Sequence, residues 1–347
     1  MNTAESIVPL VPHPSVAPIL RVEGLTTRLL LKQGALPAVE DVSLSVMPGE
    51  TLGIVGESGC GKSMTALSIM RLLPRPIGRI IAGSVMIDGV GDITQMSERQ
   101  MRNVRGNEIS MIFQEPMTSL NPVFRVGYQI SESIRVHHKV SRAEARHRAI
   151  EMLEQVRIPL PAERYSNFPH QMSGGMRQRV MIAMALACRP KVMLADEPTT
   201  ALDVTIQAQI LKLMNELKRE IGASIMLITH DLGVIAKMAQ RVVVMYAGVV
   251  VEEADVISLF AKPLHPYTQG LMRSIPHGGA VERKGRLQTI RGTVPNLRDL
   301  PRGCRFADRC PAVHEPCHKF EPGLAPPDET PRASRKVRCW LHARPPQ

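Results

Sequence analysis

The stretch Gly56-Glu57-Ser58-Gly59-Cys60-Gly61-Lys62-Ser63, reading GESGCGKS, decides how the rest of this chain is read. It follows the short apolar run Thr51-Leu52-Gly53-Ile54-Val55 and precedes Met64 to Leu73, whose apolar residues recur at helical spacing. The glycines therefore sit at a strand-to-helix turn. Backbone N–H groups at such a helix N-terminus can cradle phosphate oxygens; Lys62 would reach the β and γ phosphates, and the Ser63 hydroxyl would face Mg²⁺. A Gly-rich turn capping an ordinary helix is the plainer alternative, but the flanking strand and helix favour nucleotide binding.

Upstream, residues 1 to 18 contain Pro9, Pro12, Pro14 and Pro18 and read as a disordered lead. Ile19 to Leu25, Asp41 to Met47 and Thr51 to Val55 read as strands, with Val42, Leu44 and Val46 on one face. Downstream, residues 83–89 and 108–113 read as further strands, the second ending at Gln114. A turn-rich QEPMTSLNP and the expected helices 126–138 and 141–156 make about 115–175 a candidate helical subdomain. Helix 176–188, strand 191–195, the apolar stripe Ile206, Ile210, Leu213, Leu217, Ile221, and strands 224–229 and 241–246 complete an alternation. Strand alternating with helix predicts an α/β fold with a mostly parallel sheet and ligands at the carboxyl ends of its strands.

One such end carries Asp196 and Glu197, after the apolar Val192 to Ala195. Asp196 is placed to hold the Mg²⁺ shell and Glu197 to polarise an attacking water. Ser173-Gly174-Gly175-Met176-Arg177-Gln178-Arg179, ahead of a helix, is a second glycine-bearing N-terminus suited to phosphate. One nucleotide does not need two cradles on one chain, so the second is expected to serve a nucleotide held by another subunit.

These motifs together resemble the ATP-binding subunits of ABC transporters, over roughly residues 19 to 347. GESGCGKS stands as Walker A, Gln114 as the Q-loop, SGGMRQR as the signature, VMLADEP as Walker B, Thr200-Ala201-Leu202-Asp203 as the D-loop, and His230 as the switch histidine. The resemblance implies an ABC-type phosphate-loop ATPase core with an antiparallel β subdomain and a helical subdomain, paired head to tail with two ATP molecules at the interface. Gly56 to Met64, Gln114, Asp196, Glu197 and His230 of one subunit would face each ATP, with Ser173, Gly174, Gly175 and Asp203 completing the interface. Glu197, His230 and Gln114 take the catalytic roles; Ser63, Gln114 and Asp196 would surround Mg²⁺. The position that stacks an aromatic ring on adenine in the family falls on Leu29, after Arg28. An aliphatic contact loses the ring stacking, so weaker base selectivity and ATP affinity are expected.

QEPMTSLNP, SGGM in place of SGGQ, DEPTTALDVTIQAQI and Pro263-Leu264-His265-Pro266-Tyr267-Thr268 narrow the resemblance to the oligopeptide and dipeptide importer subfamily, which includes some nickel and glutathione systems. The implied partners are a second, non-identical ATPase subunit, two transmembrane permeases and an external binding protein, with this chain peripheral on the cytoplasmic side of the inner membrane. By this reading residues 19–262 form the nucleotide-binding domain and 263–347 a small Cys-rich C-terminal extension. An orphan soluble ATPase, or an ABC ATPase acting on nucleic acid, is the competing reading. The net charge of +11, of which +7 lies in residues 281–347, would serve the latter. The single module without coiled-coil or zinc insertions argues against a nucleic-acid partner.

Cys304, Cys310, Cys317 and Cys339 are spaced C-x5-C-x6-C-x21-C in a Pro-, Arg- and Gly-rich stretch. Four thiols in a poorly hydrophobic segment point to a metal staple, and spacing alone leaves zinc and iron–sulfur open. GCRFADRCP resembles a four-iron four-sulfur (4Fe-4S) segment of the peptide importers; His314 and His318 are near enough to substitute but are expected to face solvent. Cys188 is not expected to be a ligand. Cys60, at a helix N-terminus beside Lys62, is expected to have thiolate character and to be protected from alkylation by nucleotide.

Overall fold

A computed structural model describes residues 16–114, 119–200, 202–274, 289–328 and 335–345. Most of the proline-rich lead, residues 115–118 of the turn-rich stretch and Ala201 lie outside the described residues.

Two sheets organise the described chain. The smaller is antiparallel, in the order β2-β1-β4-β5, from β1 (Leu20–Leu31), β2 (Gly34–Val46), β4 (Gly78–Ile87) and β5 (Gly91–Asp92). The larger runs β11-β10-β9-β3-β8-β7-β6, from β3 (Thr51–Val55), β6 (Ile109–Ile112), β7 (Val192–Asp196), β8 (Ser224–Ile228), β9 (Arg241–Tyr246), β10 (Val249–Asp255) and β11 (Lys336–Val337). The pairs β3·β8, β3·β9, β6·β7 and β7·β8 are parallel; β9·β10 and β10·β11 are antiparallel.

The central strands are apolar without a break because both of their faces are covered. Ile225, Leu227, Val242 and Val244 pack into one core with the helices Val126–His138, Arg142–Gln155 and Gly174–Leu186. Met226, Ile228, Val243 and Met245 point the other way, into a core shared with β1, β2, β4 and the helix Lys62–Ile69. The stripe read in the sequence holds: Ile210, Leu213 and Leu217 are buried in Val204–Ile221, which Asp203 caps by accepting from the Ile206 N–H at 2.9 Å.

Some boundaries differ from expectation. β1 extends six residues beyond Leu25, to Leu31, and turns at once into β2, whose start lies well before Asp41. Register shifts near Leu25 and Thr27 break the alternation that would have revealed the hairpin. The run Val242 to Val251 is two strands hinged at Ala247-Gly248. The short helix Glu98–Val104 was not expected; Ser97 and Gln100 form a reciprocal capping box at its start. Among the described residues no helix is long and apolar enough to cross a membrane.

Candidate functional site

β3, β7 and β8 end side by side, and the loops leaving them bring together most of the residues singled out in the sequence. The phosphate loop takes its shape from glycine. Gly56 has φ 154° and a Cβ there would lie 2.3 Å from the Met245 carbonyl oxygen, while Gly61 has φ 95° and a Cβ would lie 2.7 Å from that of Ala38. Any side chain would push the loop off the strands beneath it.

Lys62 is buried, and its Nζ donates to the carbonyl oxygens of Gly56 at 2.7 Å and Glu57 at 2.9 Å. Burial lowers its pKa, opposed by the nearby Cys60, Glu197, Asp196 and Glu57. The ammonium is therefore held inside the arc of the loop by groups that a phosphate oxygen can outcompete.

Ser63 Oγ donates to Asp196 Oδ1 at 3.0 Å. Asp196 is 4 % exposed, and burial raises its pKa, only partly offset by the Ser63 hydrogen bond and Lys62. A buried carboxylate so poorly compensated, beside a hydroxyl, fits a hard divalent cation, which takes oxygen ligands and would restore the charge balance. Gln114, expected both beside this pair and with Glu197 and His230, donates from Nε2 to Glu197 Oε2 at 3.3 Å.

Glu197 sits just past β7 with φ 47°, a left-handed backbone rare for this residue type and often found where a side chain must be aimed. Its Oε2 also accepts from Thr200 Oγ1 at 2.9 Å, and its Oε1 lies 3.1 Å from His230 Nδ1. Burial pushes the carboxyl up, but the hydrogen bonds from His230 and Thr200 prevail and hold it below the usual glutamate value. The result is an ionised carboxylate carrying three oriented polar neighbours.

The other expected contacts stand apart from this cluster. Ser173 is exposed and caps the helix Gly174–Leu186, accepting from the Met176 N–H at 3.3 Å. Gly174 and Asp203 are exposed and Gly175 half-buried. Leu29 is half-buried in β1, across from Leu36 and Gly78.

The reading of Cys60 is corrected. The residue is fully buried, 3.8 Å from the Tyr267 hydroxyl, and burial pushes its thiol pKa up rather than down. Its position before a helix suggested a thiolate; its depth beneath the loop removes the solvation a thiolate needs. Cys188, also buried, is shifted up by the same cause.

In the C-terminal segment, Cys317 and Cys339 are buried, Cys304 and Cys310 half-buried, and the Cys304 N–H donates to the Cys317 carbonyl at 2.7 Å. Burial, with the neighbouring Cys317, Cys339 and Cys310, pushes Cys304 up to about 12. Burial, with Cys310 and Cys317 adding, takes Cys339 to about 11. The four thiols thus influence one another, yet among the described residues no three His, Cys, Asp or Glu side chains converge to hold a metal ion. The expected metal staple is therefore not preformed as a ligand cage among the described residues. His314 and His318 are exposed, His314 Nδ1 lying 3.4 Å from Cys317 Sγ.

Sequence reasoning missed Tyr267, Tyr246, Arg305 and Arg309, which pack beneath the phosphate loop from elsewhere in the chain. Tyr267 OH accepts from the Glu57 N–H at 2.7 Å, and Arg309 pairs with the Glu57 carboxylate. Tyr267 and both arginines lie in stretches already singled out, PLHPYT and GCRFADRCP, but a contact across some 250 residues leaves no local pattern.

Known proteins resemble this chain over most of its length. A family model described as ABC transporter matches residues 39–200, and one described as the oligopeptide/dipeptide transporter C-terminal region matches 251–317. The chain is 54 % identical over 313 residues to a probable peptide ABC transporter ATP-binding protein of Sinorhizobium fredii, covering 90 % of this chain and 93 % of that one. It is 50 % identical to the oligopeptide transport ATP-binding protein AppD of Bacillus subtilis, covering 93 % and 97 % of the two chains. Against the dipeptide transport ATP-binding protein DppD of Escherichia coli it is 49 % identical, covering 88 % and 92 %. The ATP-binding cassette MJ0796, solved as a dimer bound to ADP and Pi, superposes with a TM-score of 0.61 at 28 % identity, covering 68 % of this chain and 98 % of that one. The chain belongs to the ABC transporter ATP-binding proteins, in the group that carries the oligopeptide/dipeptide transporter C-terminal region.

Proposed function

We propose that this chain is the ATP-hydrolysing subunit of an importer for dipeptides or oligopeptides. The observation that carries the chemistry is the convergence of Gln114, Thr200 and His230 on the single carboxylate of Glu197, next to the Ser63–Asp196 pair. Glu197, ionised and oriented, accepts a proton from the attacking water, and His230 and Gln114 fix the water's position relative to the γ-phosphate. Lys62 and the loop amides hold the phosphates. Ser63 and Asp196 would hold Mg²⁺, which supplies charge neutralisation to the phosphates when bound.

The exposed Ser173, Gly174 and Gly175 would close over an ATP held by a second ATPase subunit, a non-identical relative, so that neither subunit is complete alone. A γ-phosphate bridging both faces favours the closed pair, and its loss favours the open one. Two permeases would dock where Val123, Phe124 and Tyr128 are exposed, near a cleft of about 290 Å³ lined by Leu72, Phe113, His137 and Met184. An external binding protein would deliver the peptide, and the chain would sit peripherally on the cytoplasmic side of the inner membrane. Residues 19–262 serve as the nucleotide-binding domain and 263–347 as the extension. The four cysteines are the place where a 4Fe-4S cluster, or zinc, would be held; metal and sulfide content of anaerobically purified protein, against a Cys310→Ser variant, tests it without an activity assay.

Glu197→Gln tests the central reading. ATP binding should remain, hydrolysis should fall by at least about 100-fold, and ATP should trap the dimer with the partner ATPase. Retained turnover would remove Glu197 from its role, and peptide uptake unaffected by loss of the chain would remove the peptide substrate.

A further inference from the structure

The phosphate loop is braced from below by the heptapeptide that links the first two clustered cysteines, Cys304-Arg305-Phe306-Ala307-Asp308-Arg309-Cys310. Arg309 makes a two-pronged ion pair with Glu57, Nη1 to Oε2 at 2.6 Å and Nη2 to Oε1 at 2.9 Å. Its guanidinium lies over the rings of Tyr246, at 5.6 Å, and Phe306, at 5.9 Å. The Arg291 carbonyl accepts from its Nε at 2.9 Å, the Gly292 carbonyl from Nη2 at 3.3 Å and the Tyr246 hydroxyl from Nη1 at 3.3 Å, so its direction is fixed from several sides. Phe306 in turn packs against Tyr246 and Tyr267, and Tyr267 accepts the Glu57 N–H. Arg305, also buried, donates to the Ala247 carbonyl at 2.7 Å, and the adjoining Gly248 N–H donates to the Cys60 carbonyl at 3.0 Å.

Glu57 is the only acidic side chain in a loop whose work is to receive a polyanion. Unpaired, it would repel a triphosphate; paired in a rigid fork, its charge is cancelled and the loop's backbone is held in one shape. We propose that Arg309 is a positioning residue for the phosphate loop, acting through Glu57, so that the C-terminal extension sets the affinity for ATP. This rests on the reading of the loop as the ATP site.

The test is titration of fluorescent ATP, with steady-state hydrolysis, on the full chain carrying Arg309→Met, Arg309→Lys, Glu57→Gln or the Arg309→Met/Glu57→Gln pair. Arg309→Met should weaken ATP binding about tenfold, as loss of one charge-assisted contact implies, while kcat at saturating ATP holds. Adding Glu57→Gln should recover part of that loss, because the uncancelled charge is gone while the brace stays broken. Arg309→Lys, which keeps the charge but loses the fork and the ring stacking, should fall between the parent and Arg309→Met, and it carries the test if Arg309→Met does not fold: parent-like affinity in Arg309→Lys would then overturn the proposal. Equal ATP affinity in Arg309→Met and the parent, or a loss that Glu57→Gln does not relieve, overturns the proposal. A parent chain that fails to bind ATP at all would instead overturn the ATP-site reading.

Discussion

Nδ1 of His230, on the loop after β8, stands 3.1 Å from Oε1 of Glu197, on the loop after β7. Two adjacent parallel strands thus deliver, at the same height, a carboxylate and the group that orients it. His230→Ala should lower hydrolysis by roughly 100-fold while leaving ATP affinity near that of the parent, checked by phosphate release alongside nucleotide titration.

The hydrogen bonds that hold Glu197 below its usual pKa give a signed pH prediction. The carboxylate is the competent base, so the acid limb of the rate profile should lie below the ordinary glutamate range. Thr200→Val removes one hydrogen bond to the charged form and should move that limb toward neutral pH, read from the profile of kcat. A limb that stays in place would mean Thr200 does not tune this group.

Burying Cys60 changes what a thiol reagent should see. Under native conditions iodoacetamide should leave Cys60 unmodified whether or not MgATP is present, with modification appearing only in denaturant. Peptide mapping after short exposures checks it, and rapid labelling of Cys60 in the folded chain would contradict the burial.

Glu252 has no solvent exposure and accepts from the N–H groups of Leu264 and His265, both at 2.9 Å, with Arg335 as ion partner. It fixes the start of the helix Pro266–Arg273, which carries Tyr267. Glu252→Ala should cost about 3 kcal/mol, measured by denaturant titration, because Arg335 and two amides lose their acceptor together.

The clustering of the candidate-site residues was legible because each lies in a contiguous motif whose local structure places it. Lys62 and Ser63 follow a glycine turn, and Asp196 and Glu197 end an apolar strand. The ABC-type core and its antiparallel sheet were expected through the family resemblance those motifs carry. Gln114 was grouped both with Glu197 and His230 and with Ser63 and Asp196; its side chain turns toward Glu197, a rotamer choice that no sequence pattern encodes. Cys60 was misread because a helix N-terminus and a buried pocket pull a thiol in opposite directions, and depth is a tertiary property. The contact of Arg309 with Glu57 spans most of the chain, and the hairpin of β1 and β2 was hidden by bulges that break its alternation.

The pairing of Lys336 and Val337 with Glu253 and Glu252 has a consequence for handling the protein. Without that two-residue strip, β10 would become the rim of the large sheet, offering a bare row of amides and carbonyls to any passing strand. A shortened version ending near residue 334 would tend to stick to itself, however intact its catalytic apparatus, and would have to be kept dilute.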